Sequence, residues 1–307
     1  MYKTIIVPLD GSAFAEQAIG TAATIAQHSG ATLVLVRVHE TYAFEATDYS
    51  LTADLSRRDQ EQYLAAVAQR VENIYGLLAE RTLLDGVVGP SICDFAMGLE
   101  APLIVLSTHG RTGFSRFWLG SVADAIMRHA STPVLMLRHR EHTDVELARA
   151  HRFRHLLVPL DGSTFAEVAL EPAVSLARAF KAKLTLLRVV AAVNIPMPLF
   201  AAPHAAPPMD EDEEGLNIRL EGAEDYVRAA ATRVRLAEPG LEVDTIVRLD
   251  DSPAAAILAA TMAHGVDTVA LATHGRGLSR LVIASVADKV LRAGPDAVLV
   301  LRPEEES

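Results

Sequence analysis

Ile5-Ile6-Val7-Pro8-Leu9-Asp10-Gly11-Ser12 is written twice in this chain, the second time as Leu156-Leu157-Val158-Pro159-Leu160-Asp161-Gly162-Ser163. A short apolar run without alternation reads as a strand buried on both faces. The Asp-Gly-Ser that follows reads as a turn leading into a helix, with the serine placed to cap it. Both copies continue as Phe-Ala-Glu, at Phe14 to Glu16 and Phe165 to Glu167.

Working outward, the repeat extends over the whole chain. LVLVRV (33–38) matches LTLLRV (184–189), and STHGRTGFSRFWLGSVAD (107–124) matches ATHGRGLSRLVIASVAD (272–288). The copies close with PVLMLR (133–138) and AVLVLR (297–302). The offset is 151 at Asp10/Asp161 and 165 at Gly110/Gly275, so copy two carries about 14 extra residues. Most fit the stretch after Val190, NIPMPLFAAPHAAPPMDEDEEG, whose Pro, Ala and acidic residues read as an exposed loop. Apolar runs alternate with amphipathic stretches such as Ala15 to Gln27 and Gln60 to Leu78. That βαβ rhythm implies parallel sheets with right-handed crossovers. The expected domains are residues 1–139 and 153–307, joined by a linker over 140–152 that has room for a short helix.

In an open parallel sheet, ligands sit beyond the carboxyl ends of the strands, at helix N-termini. Two segments stand there. After the first strand come Pro8, Leu9, Asp10, Gly11 and Ser12: Asp10 can accept hydrogen bonds from an adenine or a ribose, and Asp-Gly-Ser is equally a good turn with Ser12 as cap. After the fourth strand, Leu103 to Leu106, comes Ser107-Thr108-His109-Gly110-Arg111-Thr112-Gly113, reaching Gly120-Ser121 before an amphipathic helix. Glycines let a backbone approach a phosphate, and the helix start offers free N–H groups and its positive dipole end. Arg111 adds charge there or is a solvated loop residue. His109 and His274 occupy matching places and orient the loop; no second ligand is spaced for a metal. The segment is neither a P-loop, since no Lys-Ser or Lys-Thr follows the glycines, nor a dinucleotide fingerprint, which would follow the first strand.

With these residues in view, the chain resembles a tandem universal stress protein, and the likeness covers nearly its whole length. The resemblance implies two tandem copies of a Rossmann-like, adenine nucleotide alpha hydrolase-like fold, each an open parallel five-stranded sheet flanked by helices. The ATP-binding branch of that family has Gly-x-x-Gly, nine residues, then Gly-Ser or Gly-Thr. Copy one matches at Gly110, Gly120 and Ser121 and departs at Ser107; copy two departs at Ala272 and Ala284 and has a spacer one residue shorter. By resemblance, Pro8, Asp10 and Val38 contact adenine and ribose, and Ser121 and Val122 contact phosphate. The full expected nucleotide-binding set is Pro8, Leu9, Asp10, Val38, Leu106, Ser107, His109, Gly110, Arg111, Gly113, Gly120, Ser121 and Val122. In copy two it is Pro159, Leu160, Asp161, Val189, Ala272, His274, Gly275, Arg276, Gly277, Ser285 and Val286. The ligand implied is ATP or a related adenine nucleotide, with Mg²⁺ on its phosphates. The output is a change of conformation or of protein partner in stress response or signalling. A slow ATP hydrolase, with Asp124 or His109 as the nameable groups, and an interaction module with impaired sites are the alternatives. Single-domain members dimerise through their last strand, so Pro133 to Leu137 and Ala297 to Leu301 are expected to lie antiparallel, making the chain its own pseudo-dimer. A further homodimer remains open.

Composition bounds the rest. A net charge of −11 argues against duplex nucleic acid as partner. The single cysteine, Cys93, rules out an intramolecular disulfide and fits a cytoplasmic protein. Cys93 is expected to pack rather than react. No membrane partner is expected, because no apolar run approaches a membrane span and the N-terminal run leads straight into Asp10. The acidic run Asp210 to Glu214 attracts a divalent cation or is simply solvated.

Overall fold

The computed structural model describes residues 1–40, 49–109, 121–139, 150–191, 213–273 and 286–302. Copy one runs β1 (Thr4–Pro8), α1 (Ala13–Glu16), α2 (Ala18–Ser29), β2 (Thr32–His39), α3 (Tyr49–Tyr75), β3 (Ala79–Asp85), α4 (Val88–Met97), β4 (Pro102–His109), α5 (Ser121–His129) and β5 (Val134–His139). Copy two repeats it: β6 (His155–Leu160), α6 (Thr164–Glu167), α7 (Leu170–Phe180), β7 (Lys183–Val190), α8 (Glu213–Ala237), β8 (Val243–Leu249), α9 (Pro253–His264), β9 (Thr268–Ala272), α10 (Val286–Ala293) and β10 (Ala297–Leu301). The stretch expected as one helix over Ala15 to Gln27 is two. Ser12 caps the single turn α1, and Gln17 bonds back three residues to Phe14 before α2 begins. The helix expected from Gln60 begins much earlier, at Tyr49, and ends at Tyr75, where Gly76 turns the chain with φ +62°.

All ten strands form one sheet, in the order β3-β2-β1-β4-β5-β10-β9-β6-β7-β8. Within each copy every pairing is parallel. The interior strands are apolar runs buried on both faces; β1 and β10 are buried along their whole length. The two edges, β3 and β8, are mixed in burial and carry charge, which discourages pairing with other chains.

The copies join where β5 meets β10 antiparallel, with Val134 opposite Val300, Leu135 opposite Leu299 and Met136 opposite Val298. An arginine at the end of each final strand reaches the other copy's last helix. Arg138 donates to the carbonyls of Gly294, at 2.8 Å, and of Leu291; Arg302 donates to that of Arg128. These cations sit at helix C-termini, where unpaired carbonyls and the negative dipole end favour them. Above the sheet, α2 and α7 meet: His28 stacks on Phe180 at 4.5 Å, and Phe180 packs on Phe153. The linker stretch 140–149 and most of the extra segment after Val190, including Asp210 to Asp212, lie outside the described residues.

Candidate functional site

In each copy the strand order reverses beside the first strand, at β1/β4 and β6/β9, the topological place where open α/β sheets bind ligands. In copy one the turn after β1 is built as its sequence suggests. Asp10 Oδ1 accepts the Ser12 N–H at 2.8 Å, and Ser12 Oγ accepts the Ala15 N–H at 3.1 Å. Gly11 has φ +89°, and a Cβ there would stand 2.6 Å from Arg37 Nη1. The positive φ, which L side chains rarely adopt, is what calls for glycine in this turn. In copy two Asp161 holds Ser163 through both N–H (2.9 Å) and O–H (2.5 Å). Burial alone would raise the Asp161 pKa; the two Ser163 bonds and the Arg188 charge outweigh it and hold it below the usual value.

A cavity of about 550 Å³ opens at the ends of β1 and β2, a volume in the range of small-molecule sites. Alternate residues of β2 face opposite sides of the sheet, so the cavity has two unlike walls. One is apolar: Val36, Val38, Val88, Gly89, Ile92, Val122 and Ala125. The other is polar: Arg37, His39, Ser56 and Gln60, the last two from α3. A Cβ on Gly89 would lie 2.6 Å from Ala125 Cβ and under 3 Å from Ala125 backbone, so the missing side chain is what lets α4 and α5 touch. The matching positions in copy two are Ala254 and Lys289.

Beside the polar wall is a network absent from the sequence reading. Buried Glu16 accepts from Tyr63 Oη at 2.9 Å and from Arg70 Nη2 at 2.8 Å, and Arg37 lies over the Tyr63 ring at 5.2 Å. Burial, then the bond to Glu16, pushes the Tyr63 pKa upward. Copy two repeats the network as Glu167, Tyr226 and Arg233. The recurrence was readable in the sequence, the glutamates 151 residues apart and the tyrosines and arginines 163. It fastens the long helix of each copy to the first turn after the first strand.

Of the expected nucleotide residues, Pro8, Leu9, Asp10, Val38 and Val122 meet at the cavity. Leu106 and Ser107 lie buried near the end of β4, and Ser107 Oγ has no hydrogen-bond partner. His109 ends β4 and Ser121 begins α5; their side chains, with Gly110, Arg111, Gly113 and Gly120, lie outside the described residues. In copy two, Pro159 and Leu160 end β6, Val189 lies in β7, Ala272 ends β9 and Val286 begins α10. His274, Gly275, Arg276, Gly277 and Ser285 lie outside the described residues. Asp124 is held by Arg128 at 2.5 Å, as Asp288 is by Arg292 at 2.9 Å. Cys93 is buried in α4, its Sγ 3.8 Å from the Ile126 carbonyl, with the thiol pushed up to about 11 by burial. Among the described residues no His/Cys/Asp/Glu cluster can hold a metal ion, and no helix is long and apolar enough to cross a membrane.

Sheet order and cavity place the molecule in a class: a tandem Rossmann-like α/β protein with a small-molecule-sized cavity at its strand ends. The chain belongs to the universal stress protein family, whose family model matches residues 1–138 and again 152–302. A universal stress protein of Methanocaldococcus jannaschii is 31% identical over 142 residues, 45% of this chain and 83% of that protein. A putative one of Staphylococcus haemolyticus is 34% identical over 145 residues, 46% of this chain and 87% of that protein. The crystal structure of a universal stress protein from Archaeoglobus fulgidus superposes with a TM-score of 0.68 at 19% identity, covering 98% of each chain. A putative one from Pseudomonas aeruginosa gives 0.56 at 17% identity, covering 98% of this chain and 94% of that one. At these identities the two structures speak to the fold alone.

Proposed function

We propose that copy one binds an adenine nucleotide, ATP, and that the chain acts in stress response or signalling by changing conformation or protein partner with the ligand. The observation that carries this is the convergence of Pro8, Asp10, Val38 and Val122 on one 550 Å³ cavity. The unpaired Oγ of Ser107, at the entry to the glycine segment, supports it further. The base takes the apolar wall beside Val38. The phosphates go to the start of α5, where free N–H groups and the dipole favour anions. Mg²⁺ is held by the phosphates. A hydrolase reading gains nothing from Asp124, whose carboxylate Arg128 already engages. Copy two is the weaker site: Ala254 and Lys289 stand where copy one has Gly89 and Ala125, and Ala272 and Ala284 replace the loop glycines. We read the chain, folded as domains 1–139 and 153–307, as its own pseudo-dimer closed at β5/β10, working in the cytoplasm.

Calorimetric titration of ATP tests this, together with mass spectrometry of whatever co-purifies. Gly120→Val should abolish binding in copy one and leave the fold intact, because a β-branched side chain fills the space the phosphates need. Undiminished affinity and stoichiometry in that variant would show that the glycine segment is not the phosphate site.

A further inference from the structure

Two residues of the cavity's polar wall, His39 and Gln60, each carry an atom buried behind that wall that neither the fold nor the nucleotide loop uses. His39 is 8% exposed, and its Nδ1 has no hydrogen-bond partner. Gln60 Oε1 is also buried and unpaired, while its Nε2 reaches Ser56 Oγ at 3.4 Å. Buried polar atoms are nearly always paired, and leaving them unpaired is costly. The two residues are brought together by α3. Arg57 donates to Asp85 at 2.6 Å, and Asp85 is the register partner of His39. Gln60 lies three residues beyond Arg57 and so on the same helix face. The Tyr63–Glu16 bond fixes the next turn.

Copy two shows that the fold does not need polar groups here. Tyr63 and Tyr226 make the same bond in each copy, which aligns α3 with α8. On that alignment Gln60 corresponds to Ala223, and along β2/β7 His39 corresponds to Val190; both are buried and apolar. The unpaired atoms therefore belong to what copy one does, not to how either copy folds.

We propose that His39 and Gln60 read the hydrogen-bonding edge of the base, making copy one selective for a 6-amino purine over a 6-oxo purine. This rests on the adenine-nucleotide reading of the cavity and adds its specificity. With Nε2 turned to Ser56, Gln60 presents an acceptor, which takes the exocyclic amine. His39, with a proton on Nδ1, donates to the neighbouring ring nitrogen. The terminal torsions of both side chains are broad, and their rotation turns these atoms toward the base. A 6-oxo purine reverses the pattern: its carbonyl meets Gln60 Oε1 and its ring N–H meets His39 Nδ1–H.

The test is titration of the full chain with ATP, inosine triphosphate and the triphosphate of unsubstituted purine riboside. Copy one should prefer ATP over either by about 10- to 100-fold, the range for a site that loses a matched buried hydrogen bond. The double variant His39→Val/Gln60→Ala installs the residues copy two already carries. It should weaken ATP binding about tenfold and bring the preference below about threefold. Gln60→Glu keeps an acceptor and should keep the preference. Base-blind binding by the native chain, a preference for inosine triphosphate, or an unchanged preference in the double variant would overturn the proposal and leave the nucleotide reading standing. Absence of binding by any of the three would remove both.

Discussion

Gly89→Ala adds one methyl group where α4 meets α5, and its effect can be worked from the structure. The new Cβ would sit 2.6 Å from Ala125 Cβ, 2.8 Å from its carbonyl carbon and 2.9 Å from its oxygen. Two of those three atoms are backbone, so relief requires moving a helix rather than turning a side chain. Overpacking of this kind costs about 1–3 kcal/mol. Against it stands the helix propensity of alanine over glycine, at most about 1 kcal/mol, and less at the second residue of α4. The net is a loss of roughly 0.5–2 kcal/mol. Because Val122 and Ala125 both line the cavity, shifting α5 also reshapes the proposed nucleotide site, and ATP affinity should fall with stability. Urea unfolding gives the first quantity and calorimetry the second. The reverse change in copy two, Ala254→Gly, removes a buried methyl that helix α9 already accommodates and should also destabilise, by about 1–2 kcal/mol. A Gly89→Ala protein as stable as the native chain, with unaltered ATP affinity, would refute the claim that α4–α5 contact shapes the site.

Two further outcomes follow from the seam and from a buried imidazole. Val134→Asp with Val298→Asp places unpaired carboxylates in strands buried at the β5/β10 junction, at a cost of several kcal/mol. Scattering should show the halves detached or the chain aggregated, and a compact, fully folded variant would argue that the seam holds little. His155 is kept below its usual pKa of 6.5 chiefly by burial, although the His264 carbonyl that its Nδ1 faces at 3.0 Å pulls the other way. The unfolded chain then binds a proton that the folded chain refuses. The contribution is fully present above about pH 6.5 and is lost as pH falls from there through the folded value. The melting temperature should drop between pH 7.5 and 5.5, and more steeply than in His155→Gln; parallel profiles would remove His155 as the cause.

The repeated strand–turn–helix start was legible because it combines an unalternating apolar run with turn chemistry; Pro8, Leu9 and Asp10 of the cavity follow from it, while Val38 and Val122 were expected from the family resemblance. The edge strands were harder to see. AERTLLD and VDTIVRL are partly exposed, so nothing selects for a continuous apolar run. Arg37, His39 and Gln60 carry no motif. They matter only because β2 ends where α3 crosses it, a tertiary fact. Gly89 was invisible for the opposite reason: its role is the absence of an atom, which has meaning only once Ala125 is known to stand opposite. The Glu16–Tyr63–Arg70 network spans 47 and 54 residues, beyond any local pattern, yet its duplication in copy two was a signal that side-by-side alignment of the halves would have caught.

The antiparallel meeting of β5 and β10 within one chain has a consequence for descent. In an assembly of two identical subunits, every change in the gene is struck twice, once on each side of the axis, and the two pockets must drift together. Here each half is spelled by its own stretch of gene. One half can trade His39 for Val190 and Gln60 for Ala223 without the other following. A shared sheet can keep both halves folded while only one is under selection for a ligand, so a pocket that lapsed in the other half would survive as scaffold, free to acquire another use.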